Sequence, residues 1–164
     1  MKVTFIGTRA NIKHRTQDHW FNAACIISHR STHIMIDCGT DWTGKLATIR
    51  PTPDGILVTH AHPDHIEGLK QETRIPVYAL KESFQLMPNY HIHQRHVIRP
   101  RQLFIIGAIT IEAFRVEHAI NAAAVGYRIS AGTKTIFYVP DLVYIKQQRA
   151  ALKSIDAYIG DGAR

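Results

Sequence analysis

Four side chains that commonly bind metal ions occur within six residues of this sequence, in the order His60, His62, Asp64 and His65. They follow a compact apolar run that predicts a buried strand. A strand end is rigid enough to aim the first two histidines at one point, and the turn at Pro63 lets the last two side chains face a neighbouring point. Imidazole and carboxylate groups suit zinc, iron or manganese. The spacing therefore predicts a metal site rather than a chance polar loop.

Composition limits the kind of protein this can be. The chain has 164 residues, 45% hydrophobic and 20% charged, which suits one globular domain. Lys and Arg number 20 against 13 Asp and Glu, and this net charge of +7 favours anionic partners such as phosphoesters, RNA or nucleotides. Two cysteines are too few for a disulfide scaffold, so a reduced, cytoplasmic setting is expected. Neither a secretory signal nor an apolar run of about 18 residues is visible, so no membrane segment is predicted.

The elements that must position the metal-binding side chains are predicted from the apolar pattern. The pattern indicates α and β elements layered around two sheets. Helical spacing predicts a helix over residues 64–72, with Asp64 as its cap, and shorter helices over residues 43–49, 81–86 and 147–153. Predicted strands cover residues 3–6, 23–28, 33–36, 56–59, 76–80, 103–106, 109–115, 125–129, 135–139 and 156–159.

Residues 8–22 predict a polar, basic loop that could lie over a site. The basic run at residues 13–15 either holds a phosphate or is an ordinary solvated face. Trp20 and Phe21 are interpreted as hydrophobic anchors of this loop, with base stacking as the alternative.

The most basic window covers residues 90–102 and contains Arg95, Arg99 and Arg101. Guanidinium groups pair well with phosphate, so these three arginines are candidate substrate-binding residues. One alternative is a solvated basic segment near the mouth of a cleft. Another is a second metal-binding cluster formed by the histidines at positions 91, 93 and 96.

Residues 60–65 resemble the His-x-His-x-Asp-His signature of the metallo-β-lactamase superfamily. The resemblance continues in the right order over nearly the whole chain. Residues 116–118 and 126–129 are similar to the third-histidine motif of the tRNase Z and phosphodiesterase branch. Residues 137–141 resemble the segment with the bridging aspartate, although Gly-Asp is commoner there than this Pro-Asp. Residues 4–8, 36–39 and 156–161 resemble the first strand with its glycine turn, a strand-end aspartate and a later strand.

The resemblance implies an α/β fold, a metallo-β-lactamase-like αββα sandwich. It implies a single domain over residues 1–164 that is C-terminally short, with its second half incomplete. The implied cofactor is zinc, two ions per complete site, with manganese or iron as alternatives. Asp37 is expected behind the site, where it fixes the orientation of a ligand. The implied ligands are His60, His62 and His118 for the first metal, Asp64 and His65 for the second, and Asp141 as a bridge between them.

The resemblance also implies metal-dependent hydrolysis. A metal lowers the pKa of bound water from about 15.7 to about 7, so hydroxide is available near neutral pH, and Asp64 is the expected catalytic residue that orients it. The basic charge favours a phosphodiesterase or nuclease-like enzyme. Open alternatives are a thioester or other ester hydrolase of the same fold, and a non-catalytic metal-binding or assembly partner. A nucleic-acid-binding module that uses charge alone leaves the clustered ligands unexplained.

One feature of the superfamily has no counterpart in this sequence. The family completes its second metal site with a later histidine, beyond the strand that here ends near Gly162, and no residue is left to supply it. Three explanations stay open. The chain is a fragment of a longer protein, or a partner chain or second copy completes the site, or the second site is vestigial.

Overall fold

The first β-sheet has six strands within residues 1–118 and 122–160, the part of the chain that this computed structural model describes. In spatial order they are β1 (Lys2–Gly7), β2 (Ala24–His29), β3 (Thr32–Ile36), β4 (Gly55–Leu57), β5 (Val77–Ala79) and β6 (Arg95–Val97). The strand β2 is antiparallel to both of its neighbours, β1 and β3. From β3 to β6 all pairs are parallel, so these four strands end at the same edge of the sheet.

The second sheet also has six strands in the same described part of the chain. They are β7 (Leu103–Ile106), β8 (Ile109–Glu117), β9 (Ala124–Ala131), β10 (Lys134–Val139), β11 (Tyr144–Ile145) and β12 (Ala157–Gly160). Their order is β11-β8-β9-β10-β12, and β7 pairs with β8. Because β9 is antiparallel to both β8 and β10, these two strands run in one direction and end at the same edge.

The helices are shorter than predicted. They are α1 (Pro63–Ile66), which continues as a 3₁₀ turn over Glu67–Lys70, α2 (Lys81–Gln85) and α3 (Gln148–Ala151). No helix in the described ranges is long and apolar enough to cross a membrane.

Two helix predictions are wrong in their details. Asp64 does not cap α1, because the helix begins at Pro63 and His62 takes the cap position. Proline is favoured in the first helical turn, where its missing N–H leaves no hydrogen bond unmade. The helix predicted over residues 43–49 is only a pair of 3₁₀ turns, Thr40–Trp42 and Leu46–Thr48. Between them Gly44 has a φ of 74°, a left-handed conformation that interrupts a helix.

Three apolar clusters arrange these elements in four layers. The central cluster lies between the sheets and contains Ile36 of β3 and Tyr127 of β9. A second cluster joins the outer face of the first sheet to Ile66 of α1 and Phe84 of α2. The third joins the outer face of the second sheet to Ala151 of α3. The order helix, sheet, sheet, helix is the αββα sandwich that the family resemblance implies.

Two hydrogen bonds join the sheets just beyond the end of β4. The Tyr127 hydroxyl donates to the carbonyl of Val58 at 2.6 Å. The Val125 N–H donates to the carbonyl of Thr59 at 3.0 Å. The chain enters the histidine motif directly after this junction, so the motif begins where both sheets are fixed against each other.

Candidate metal centre

The first group of candidate ligands consists of His60, His62 and His118. His60 Nε2 lies 3.0 Å from His62 Nδ1, and His118 Nε2 lies 3.2 Å from the same His62 nitrogen. The nearest ligand atoms of all three residues lie within 4.8 Å of one another. Tetrahedral zinc with Zn–N bonds of about 2.0–2.1 Å needs nitrogens about 3.3 Å apart. The three ring nitrogens therefore fit a single zinc-sized ion.

His60 is held as a neutral imidazole. It is buried, and its Nδ1 lies 3.1 Å from the Thr59 hydroxyl, which leaves Nε2 facing the other histidines. Burial and the neighbouring charge of His65 lower the pKa of His60 to about 2. Burial, followed by the proximity of His118, also lowers the pKa of His62. Neutral imidazole is the form that binds a metal, so the lowered pKa values of His60 and His62 favour metal binding.

The second group consists of His60, His65 and Asp141, and it shares His60 with the first. His65 Nε2 lies 2.8 Å from Asp141 Oδ2, and His60 Nε2 lies 3.6 Å from the same oxygen. Asp64 belongs to neither group, but its Oδ2 lies 3.4 Å from His65 Nε2. The Asp141 carboxylate of the second group thus lies close to His60, the residue that the two groups share.

Asp37 lies behind His65 and is completely buried. Its carboxylate accepts hydrogen bonds of 2.8 Å from the backbone N–H and from the hydroxyl of Thr59. His65 Nδ1 lies 2.8 Å from the same carboxylate, which turns Nε2 towards Asp141. Burial disfavours a charged imidazole, but the charge of Asp37 and the hydrogen bonds with Asp141, Asp37 and Asp64 together raise the pKa of His65 well above its ordinary value. The carboxylates of the second group therefore favour a cation, and a bound metal ion would take the place of the proton on His65.

Close backbone packing sets the position of α1. A side chain at Gly39 would overlap the carbonyl oxygen of Asp64, so only glycine lets the chain after β3 approach the helix. The Cys38 N–H donates to the His65 carbonyl at 2.7 Å, and the Gly68 N–H donates to the Cys38 carbonyl at 2.9 Å. Burial raises the pKa of the Cys38 thiol, which favours its neutral form, and the thiol belongs to neither ligand group.

Two clefts flank the histidines. One, of about 440 Å³, is lined by His118 together with Arg115, Glu117 and Lys146. The other, of about 330 Å³, is lined by His62 and by one side of α2, and both include Ala122 and Ala123. The first cleft thus places two cations close to one histidine of the first group.

An ion pair stands between the two clefts. The Arg115 guanidinium lies 2.5 Å from Glu82 Oε1, and Glu82 lines the second cleft. The sequence interpretation did not single out Arg115 or Lys146. Arg115 is on β8, only three residues before His118 in the sequence, and this proximity could have identified it. Lys146 is far from His118 in the sequence and reaches the cleft only through the fold.

The structure places the three predicted substrate arginines elsewhere. Arg95 donates to the carbonyls of Met87 at 2.9 Å and Tyr90 at 2.8 Å. Arg101 pairs with Glu112 at 2.6 Å, and Arg99 lines a separate cleft of about 180 Å³. None of these contacts, within the described residues, involves the histidine cluster. Their role in substrate binding stays a prediction.

The histidines at positions 91, 93 and 96 do not converge. His93 pairs with Glu72 at 2.7 Å, and His96 stacks on Tyr78 with ring centroids 4.6 Å apart. In the part of the chain that the structure describes, they form no group that could hold a metal.

Comparison with known proteins places this geometry in a family. Residues 32–164 match the Beta-lactamase superfamily domain. The exodeoxyribonuclease WalJ of Streptococcus pneumoniae serotype 2 is 29% identical over 142 aligned positions, and the match covers 77% of this chain and 52% of that protein. Ribonuclease BN of Cronobacter sakazakii is 27% identical over 161 aligned positions, and the match covers 82% of this chain and 51% of that protein. The chain therefore spans about half the length of these relatives.

A solved structure gives the same fold. Zinc-bound PqqB from Methylobacterium extorquens superimposes with a TM-score of 0.80 at 15% identity, over 98% of this chain and 72% of that one. This similarity concerns the fold alone. Because the family match extends over most of the sequence, the chain belongs to the beta-lactamase superfamily.

Proposed function

We propose that this chain is the metal-binding part of a metal-dependent hydrolase that cleaves phosphodiester bonds. Among such hydrolases, we propose a nuclease-like enzyme. The observation that carries the proposal is the convergence of two ligand groups on His60, next to a cleft that Arg115 and Lys146 line. The names of the relatives, an exodeoxyribonuclease and a ribonuclease, support the same reaction class.

The proposed ligands for the first ion are His60, His62 and His118. A site of three nitrogens suits zinc, and the fold relative PqqB was solved with zinc bound. His65 and Asp64 are proposed for a second ion, with Asp141 between the two. This oxygen-richer group suits manganese or iron as well as zinc. Within the described residues it offers three side chains, so a homo-oligomer, a partner chain or further sequence could add another ligand.

When bound, the metal supplies a water molecule of lowered pKa, and therefore a nucleophile near neutral pH. Asp64 is the proposed catalytic residue that orients this nucleophile. Burial raises the pKa of a carboxyl group, but the hydrogen bond and charge of His65 prevail and lower the pKa of Asp64. Asp64 is therefore ionised and able to accept a hydrogen bond. Arg115 and Lys146 are proposed to neutralise the phosphate as it enters the adjacent cleft.

The wider setting is also proposed. Both cysteines are buried and free, which supports a reducing, cytoplasmic environment for the chain. The proposal treats residues 1–164 as one domain, although residues 119–121 and 161–164 lie outside the described part. The anionic substrate proposed is RNA, DNA or a nucleotide phosphoester.

A substrate panel tests this function. Zinc-loaded protein is assayed with bis(p-nitrophenyl) phosphate, a p-nitrophenyl ester and a thioester. We expect turnover of the phosphodiester, and loss of that turnover in His62→Ala and Asp64→Asn with the fold retained by circular dichroism. His93→Ala is the matched control, because His93 is an exposed histidine outside both groups. Preferential cleavage of the thioester or ester would replace the phosphodiesterase assignment, and full turnover by the two site variants would refute the mechanism.

A further inference from the structure

The loop between β1 and β2, residues 8–22, is anchored by one buried carboxylate. Asp41 is buried and accepts hydrogen bonds from the guanidinium groups of Arg9 and Arg15. It also accepts a bond of 2.8 Å from the Asn22 N–H, and its own N–H donates to the Asn22 side chain at 3.0 Å. Both ends of the loop and its middle are therefore tied to the same residue. An anchor of this kind holds the loop in a defined position.

The anchor lies against α1, the helix that carries the second ligand group. The Thr40 hydroxyl lies 3.3 Å from the Pro63 carbonyl. A β-carbon at Gly39 would meet both the Asn22 side chain and the carbonyl of Asp64, so these two residues lie on the same side of Gly39. The end of the loop therefore lies beside the backbone of the candidate ligand Asp64, on a different segment from the two clefts beside His62 and His118.

The two aromatic residues of the loop behave differently. Phe21 packs against Trp42 with ring centroids 4.8 Å apart, so it serves as the hydrophobic anchor. Trp20 is 54% exposed, and it borders a cavity of about 160 Å³ together with Phe5, which is 55% exposed. Packing of the loop thus accounts for the presence of an aromatic ring at Phe21. It does not account for Trp20, because the indole of Trp20 is exposed.

Cations lie on this loop and beside its aromatic residues. The Arg15 guanidinium carbon lies 5.5 Å from the centroid of the Trp20 ring, and Lys45 Nζ lies 5.5 Å from that of Phe21. Lys13 is also exposed on the loop. Arg9 and Asp41 are buried and do not contribute to the surface. The exposed charges are therefore the three cations Lys13, Arg15 and Lys45 against the carboxylate of Asp18, and the surface keeps a positive excess.

We propose that residues 8–22 form a binding surface for single-stranded nucleic acid, in which Trp20 stacks on an unpaired base and Lys13 and Arg15 contact phosphates. Exposed aromatic rings within a basic surface are how proteins bind single strands, because every base has a face that can stack. This proposal rests on the proposed function, because it assigns a single-stranded nucleic acid as the substrate of the adjacent metal centre.

Binding is measured by fluorescence anisotropy of a labelled oligothymidylate, using the full chain treated with chelator so that no cleavage occurs. Trp20→Ala is expected to weaken binding by about 5- to 100-fold, and Trp20→Phe by much less, because a phenyl ring still stacks. Lys13→Ala is expected to reduce the slope of log K against log salt by about one. Ile105→Ala is the matched control, since this side chain is also large, apolar and exposed (67%) but lies on β7.

Phosphodiester turnover of the zinc-loaded wild-type chain, measured in parallel, separates the two proposals. Turnover of bis(p-nitrophenyl) phosphate together with binding that Trp20→Ala does not change would overturn the loop surface and leave the hydrolase in place. Turnover with no detectable binding would do the same. Binding that depends on Trp20, without turnover of any phosphodiester, would keep the surface and remove the proposed enzyme.

Discussion

Two segments of the chain, residues 60–65 and residues 91–96, share a His-x-His spacing but differ in their surroundings. The first follows the buried strand β4 at the junction of the two sheets, whereas the second runs into β6, whose residues are all exposed. His60 and His62 meet His118 from the other sheet. His91 and His93 are exposed, and His93 pairs with Glu72. Spacing alone therefore does not make a site, because distant strand ends must deliver further ligands to the same point.

The largest effect is expected from removing His118, the candidate ligand from the other sheet that approaches residues 60–65. His118→Ala is expected to lower kcat/KM for bis(p-nitrophenyl) phosphate by about 1000-fold or more, because a bound metal ion lowers the activation barrier by several kcal/mol. His96→Ala, in the other histidine-rich segment, is expected to leave kcat/KM unchanged. Equal effects of the two substitutions would remove the distinction between the segments.

The next largest effect concerns the carboxylate that pairs with a histidine of each segment. Asp37→Ala is expected to lower the free energy of unfolding of metal-free protein by about 3–5 kcal/mol, because His65 and both donors of Thr59 lose a buried partner. Glu72→Ala removes only an exposed partner of His93, and a change close to zero is expected. Urea unfolding in the presence of chelator measures both values. A small loss for Asp37→Ala would contradict its positioning role.

A smaller effect is expected from the backbone contact that positions α1. Gly39→Ala is expected to cost about 1–3 kcal/mol of unfolding free energy, because the added methyl group overlaps the Asp64 carbonyl. It is also expected to weaken zinc binding in a competition titration with a chromogenic chelator, since Asp64 and His65 move with the helix. Unchanged stability and unchanged zinc affinity would show that this contact is not needed.

The smallest effect is expected at the basic cleft. Lys146→Ala is expected to raise KM for an oligonucleotide severalfold with kcat little changed, because this lysine is exposed and contributes mainly long-range attraction. Lys134→Ala is the matched control, an equally exposed lysine that pairs with Asp156. The KM difference is expected to shrink as salt is added. A fall in kcat alone for Lys146→Ala would contradict a role in attracting substrate.

The sequence predicts those parts of the molecule that depend on local pattern. The strands around the motif are found close to the predicted positions, because apolar runs such as residues 56–59 report burial directly. The convergence of His118 and Asp141 on His60 was expected from family resemblance and not from any local pattern, since these residues are brought together only by the pairing of distant strands. The roles of these residues stay predictions.

Other features depend on three-dimensional contacts that no spacing reveals. Lys146 is placed at the cleft by the pairing of β11 with β8. The hydrogen-bond partners of Asp41 come from the loop at residues 8–22, far from it in the sequence. The basic window at residues 90–102 was singled out for its charge, yet Arg95 donates to two backbone carbonyls. Charge density in a sequence indicates attraction for anions, but not where the guanidinium groups point.

The most direct test of the account is the zinc content per chain, measured by elemental analysis of protein purified without added chelator. The wild-type chain is compared with His62→Ala/His118→Ala and with His91→Ala/His93→Ala, and circular dichroism verifies that each is folded. We expect at least one zinc ion per wild-type chain, loss of that ion in the first double variant and retention in the second. Zinc retained by the first double variant, or no zinc bound by the folded wild-type chain, would contradict the proposed metal site.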